Sequence, residues 1–129
     1  MLKTGILNPQ INALLSRVRH TNTLVIADRG FPYWPTIETV DIALVDDVPT
    51  VLQVLNAIRP NFVVGEVVLA SEFRDHNEPA IQDRFAGAMQ GLAVTMVPHV
   101  ELKRRVPGAI GLIRTGDTIP YANMILVSA

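Results

Sequence analysis

Short, almost purely apolar runs alternate with segments that open on helix caps, and this alternation constrains the fold more than any other feature. Thr23-Leu24-Val25-Ile26-Ala27 is continuous and β-rich, as a strand buried on both faces should be. Residues 40–44, 62–70, 92–97, 109–114 and 122–127 read as further strands. Between them, Asn8-Pro9 starts a helix whose apolar positions Ile11, Leu14, Leu15 and Val18 carry it to Arg19-His20. Asp46-Asp47-Val48-Pro49 starts another, ended by Pro60. A third runs from His76-Asn77-Glu78-Pro79 to about Met89, and residues 101–106 give one or two turns. Such alternation predicts a three-layer α/β/α fold with a mixed, largely parallel sheet, in a single domain over residues 1–129. The last two strands are expected to meet across a hairpin turn at Arg114-Thr115-Gly116-Asp117.

Composition narrows the function classes. Apolar residues make up 49% of the chain and charged residues 18%, which excludes disorder and, for so small a domain, points to surface covered by other copies. The net charge is −1 and the one basic cluster is Lys103-Arg104-Arg105, so a nucleic-acid binder is not expected. There is no cysteine, no run near the ~20 apolar residues of a membrane helix, and no signal-peptide pattern at the start. A cytoplasmic protein is the expectation. Phosphate-binding glycine loops, nucleophile elbows and dinucleotide fingerprints are missing, so no cofactor is expected.

The chemistry-bearing residues are few. In α/β sheets ligands gather beyond the carboxyl ends of parallel strands, where Asp28 and Pro98-His99 fall. Taken alone, His20 reads as a helix C-cap or as a general acid–base, Asp28 as a turn-former or a ligand, and His99 as a loop histidine or a ligand. As a metal trio the three lack any local ligand spacing. His76 reads as a solvated helix cap. Tyr121 and Asn123 open the last strand with a phenol and a carboxamide, groups that suit a neutral polyhydroxylated ligand.

Together these segments resemble a family. Leu7-Asn8, Arg19-His20-Thr21-Asn22-Thr23-Leu24-Val25, Ala27-Asp28-Arg29-Gly30-Phe31-Pro32, Asp41-Ile42-Ala43-Leu44, residues 72–77, His99 with Lys103, Ile113-Arg114-Thr115-Gly116-Asp117 and Pro120-Tyr121-Ala122-Asn123-Met124-Ile125-Leu126 resemble, in order, the D-ribose pyranase (RbsD-like) family, which is related to the L-fucose mutarotases. The resemblance implies cofactor-free interconversion of the pyranose and furanose, or anomeric, forms of a free monosaccharide, D-ribose first. It implies His20 as proton donor, with Asp28, His99, Tyr121, Ala122 and Asn123 binding the sugar and no metal. It also implies pentameric rings, stacked in pairs as decamers, with pockets shared between neighbours. An L-fucose-type mutarotase and a non-catalytic sugar-binding ring protein are the alternatives, the latter with Arg29 filling the pocket. Arg29 stands where the ribose branch usually carries a small residue.

Overall fold

The computed structural model describes residues 1–129. The strands are β1 (Thr23–Ala27), β2 (Glu38–Asp41), β3 (Val64–Ala70), β4 (Ala93–Val97), β5 (Gly111–Arg114) and β6 (Met124–Ser128). The helices are α1 (Pro9–Leu15), α2 (Val51–Ile58), α3 (Ser71–His76), α4 (Pro79–Ala88) and α5 (His99–Arg105). One six-stranded sheet runs in the order β2-β5-β1-β6-β3-β4. β1 is parallel to β5, β5 to β2, and β3 to β4, while β6 is antiparallel to both β1 and β3. Five strands therefore point one way and β6 alone is reversed, as the expected mixed, largely parallel sheet requires.

Side chains alternate across the pleat and feed two cores. Leu24, Ile26, Val67, Leu69, Ile113, Met124 and Leu126 pack with residues of α1, α2 and α4 on one face. Val25, Ala27, Val68, Ala70, Leu112 and Ile125 meet Leu102 and Val106 from α5 and its continuation on the other. Phe31 and Trp34 of the loop after β1 extend that second, thinner layer.

Three local expectations need correction. β5 and β6 do not form a hairpin, because β1 lies between them and takes one partner on each edge. Residues 115–123 instead cross over the end of β1. The third helix breaks at Asn77-Glu78, where Pro79 forces the residue before it out of helical geometry, so α3 and α4 are separate. α1 stops at Leu15, its Ser16 cap bonding back to Asn12, and His20 therefore caps no helix.

Candidate functional site

Because β6 is reversed, its first residues lie at the carboxyl ends of β1 and β3. Asp28, Ser71-Glu72, Pro98-His99 and Tyr121-Ala122-Asn123 thus share one edge of the sheet. Asp28 and Asn123 hold each other: the Asp28 main-chain N–H donates to Asn123 Oδ1 at 2.8 Å, and Asn123 Nδ2 donates to Asp28 Oδ2 at 3.1 Å. The other Asp28 oxygen accepts from the Gly30 N–H at 3.0 Å. Burial pushes the Asp28 carboxyl above its ordinary value, and the nearby Asp117 charge adds to this against the hydrogen bonds from Gly30, Asn123 and Phe31.

His99 opens α5. Both oxygens of Glu72 accept from its main-chain N–H, at 2.9 and 3.1 Å, so the Glu72 carboxylate caps that helix. Ser71 Oγ donates to the same carboxylate at 3.0 Å. Desolvation pushes the Glu72 carboxyl up, but the bonds from His99 and Ser71 outweigh it and hold it below the usual range. The His99 ring goes the other way. Burial and the Lys103 charge lower its pKa, against the pull of Glu72 and Asp28, so the imidazole is neutral at neutral pH. Its Nδ1 is buried and bonds to nothing in the chain.

Tyr121 sits at φ +57°, a left-handed conformation unusual for a bulky side chain and one that costs about 1–3 kcal/mol. Asn77 braces this turn, its Nδ2 donating to the carbonyls of Pro120 at 2.9 Å and Phe73 at 2.8 Å. The turn lays the Tyr121 ring edge-on to His99, with centroids 5.1 Å apart. On its other contact the ring meets His76, at 4.9 Å. Ala122 is fully buried.

Arg29 does not enter this edge. Its guanidinium pairs with Asp46 at 2.6 Å, and both groups are exposed. Its carbonyl accepts from Arg114 Nε and Nη2 at 3.1 and 2.9 Å, while Arg114 Nη1 pairs with Asp41 at 2.9 Å. The loop after β1 is thus clamped with its cation turned away, and the pocket-filling role open to Arg29 from the sequence is not realised.

His20 is the expected site residue that this chain does not bring to the others. It lies in the exposed turn before β1, next to Thr21 at φ +67°. The five residues of β1 separate it from Asp28, a span of about 16 Å at roughly 3.3 Å per residue. Within one copy, His20, Asp28 and His99 therefore cannot share a ligand or a metal, and no grouping of three metal-ligating side chains exists in the structure. No helix is long and apolar enough to cross a membrane. Two residues at the edge were not singled out as site candidates. Glu72 comes two residues after β3, as His99 does after β4, so the strand-end rule that picks Asp28 and His99 picks it too. His76 gives no local signal, since its ring contact lies far along the chain.

A sequence profile of the RbsD / FucU transport protein family matches residues 1–129. The D-ribose pyranase of Chromobacterium violaceum is 43% identical over 129 residues, covering 99% of this chain and 97% of that protein. The D-ribose pyranase of Geobacillus kaustophilus is 41% identical over 128 residues, covering 99% and 93%. Among solved structures, Bacillus subtilis RbsD complexed with D-ribose superposes with a TM-score of 0.93 at 29% identity, covering 100% of this chain and 98% of that one. Matched by the profile over its whole length, and alike in fold to a protein solved with a pentose, the chain belongs to the RbsD / FucU transport protein family.

Proposed function

We infer that this protein is a sugar ring isomerase that interconverts the pyranose and furanose forms of free D-ribose by opening and reclosing the hemiacetal, without a cofactor. The observation that carries the reading is the edge where a half-buried carboxylate, a neutral imidazole, a phenol and a carboxamide converge. These are the groups a neutral polyol needs: acceptors for its hydroxyls, a donor amide and a ring face for its C–H surface. The relatives named D-ribose pyranase support the substrate class.

In this reading Asp28, His99, Tyr121, Asn123 and the main chain of Ala122 bind the sugar. Asp28 accepts from hydroxyls, and the His99 imidazole, edge-on to Tyr121, offers a polar contact beside it. Ring opening needs a proton delivered to the ring oxygen as the anomeric hydroxyl loses one, steps for which positioned acids and bases typically give 10²–10⁴-fold. His20 is the proton donor. The length of β1 keeps it from Asp28 within one copy, so in this reading a neighbouring copy supplies it; the family resemblance supports a closed ring, pentameric and paired into decamers. Exposed apolar side chains, among them Leu7, Leu44 and Val63, support burial between copies. The enzyme works in the cytoplasm, a reducing compartment with which a cysteine-free chain is compatible.

The test is magnetisation-transfer NMR on equilibrated ribose. Catalytic amounts of protein are expected to broaden and exchange the pyranose and furanose signals, and L-fucose to respond less. No acceleration for ribose, with tight binding by calorimetry, would instead establish a sugar-binding ring protein.

A further inference from the structure

Hemiacetal opening needs a base as well as the acid assigned to His20, and the edge carries a second imidazole. His76 closes α3, which starts directly at the end of β3, so it stands on the same edge as His99 and Tyr121. Its Nδ1 lies 2.9 Å from the Glu72 carbonyl oxygen. A carbonyl only accepts, so the proton of the neutral ring sits on Nδ1 and Nε2 keeps its lone pair. Glu72 thereby anchors both residues, its carbonyl bonding the His76 ring and its carboxylate the His99 main-chain N–H.

The rings form an unbroken row: Trp34 to Phe31 at 6.3 Å, Phe31 to His99 at 6.1 Å, His99 to Tyr121 at 5.1 Å and Tyr121 to His76 at 4.9 Å. The Tyr121 ring thus contacts both imidazoles, His99 edge-on and His76 at a 48° tilt. The two differ in access. Nδ1 of His99 is buried, whereas His76 is exposed and free to exchange its proton with solvent.

We propose that His76 is the general base of ring opening, taking the proton of the anomeric hydroxyl through Nε2. This rests on the isomerase reading above. As the O–H bond breaks, its electron pair forms the C1 carbonyl. The bond from C1 to the ring oxygen cleaves, and that oxygen keeps the pair and takes a proton from His20. Reclosure through a different hydroxyl reverses each transfer: that hydroxyl gives its proton to His20 as it attacks C1, and His76 returns its own to the carbonyl oxygen. No oxidant, metal or net proton is required.

The experiment compares wild type, His76→Phe and His76→Gln by NMR exchange rates over a range of ribose concentrations. Phenylalanine keeps the stack on Tyr121 but carries no base, and glutamine keeps a polar contact that cannot take the proton. Both variants are expected to lose about 100-fold in kcat with KM changed by less than about threefold. In the 15N spectrum of wild-type imidazoles, adding ribose is expected to shift His76 Nε2. A His76→Phe enzyme with wild-type kcat, or an Nε2 signal indifferent to ribose, overturns the assignment. If wild type itself does not accelerate exchange, the isomerase reading falls and this inference with it. If wild type is active and His76→Phe is equally so, only this inference falls.

Discussion

Asn123 and Asp28 satisfy one another through two hydrogen bonds of opposite sense, one from the Asp28 main chain and one to its carboxylate. Asn123 is buried, so this pair is structural as well as chemical. Asn123→Ala leaves the Asp28 N–H without an acceptor and is expected to cost about 1–3 kcal/mol. Asn123→Asp is expected to cost at least as much at neutral pH, because it removes the donor and sets a second negative charge beside Asp28. Denaturant unfolding measures both. Asn123→Asp should regain part of its stability as the pH is lowered, which Asn123→Ala should not.

The acid limb of ribose affinity should fall between the ordinary carboxylate and ordinary imidazole values. Asp28 is raised by burial and His99 lowered by burial, so the two are driven toward each other. As pH falls through this window Asp28 gains a proton and His99 a charge, and both lose acceptor capacity toward the sugar. The signs for stability differ. His99 binds its proton less readily folded than unfolded, so it lowers stability as pH drops below the ordinary imidazole value. Asp28 binds its proton more readily folded, so its contribution is present at low pH and lost as pH rises through its folded value. His99→Gln should remove the first effect from a pH series of unfolding midpoints and leave the second.

His20 and Asp28 stand at opposite ends of β1, so the shared-site reading makes a stoichiometric prediction. His20→Ala and Asp28→Ala should each be nearly inactive as pure rings. Unfolded together in equal amounts and refolded, they should regain up to about one quarter of wild-type activity, because random placement rebuilds about one intact interface site in four. No recovery from mixed rings of confirmed composition would mean that His20 acts elsewhere.

The strand pattern makes most of this architecture readable. The apolar runs of β1, β3 and β4 lie within two residues of where their composition places them. The strand-end rule brings Asp28 and His99 to one edge, and it would have brought Glu72. What local reading misses is set by partners distant in sequence. Arg114-Thr115-Gly116-Asp117 has the composition of a hairpin turn, yet β1 competes for β5 and β6 and separates them. His76 is solvated, as its polar surroundings imply, but its contact with Tyr121 exists only because β6 runs against β3. His20 marks the same limit from the other side: family resemblance attaches it to the site, while the chain alone keeps it away.

That crossover from β5 to β6 depends on Gly116 and Asp117, and both should be among the least tolerant positions. Asp117 is buried, its two oxygens accepting the N–H groups of Val51 and Ile119 at 2.8 Å each, which ties the first turn of α2 to the end of the sheet. Asp117→Ala orphans both donors and should cost roughly 2–4 kcal/mol, with Asp117→Asn costing less because one acceptor survives. A Cβ on Gly116 would lie 2.2 Å from the Val45 carbonyl oxygen and 3.0 Å from that of Val48. These are main-chain atoms of a loop held by the Asp47 N–H to the Gly116 carbonyl and by Asp47 Oδ1 to Thr118, so no side-chain rotation relieves the clash. Gly116→Ala should therefore destabilise by at least about 3 kcal/mol, and more than Asp117→Asn. Thermal unfolding of the three variants ranks them. A Gly116→Ala protein with a wild-type midpoint would show that residues 45–48 do not pack on this turn.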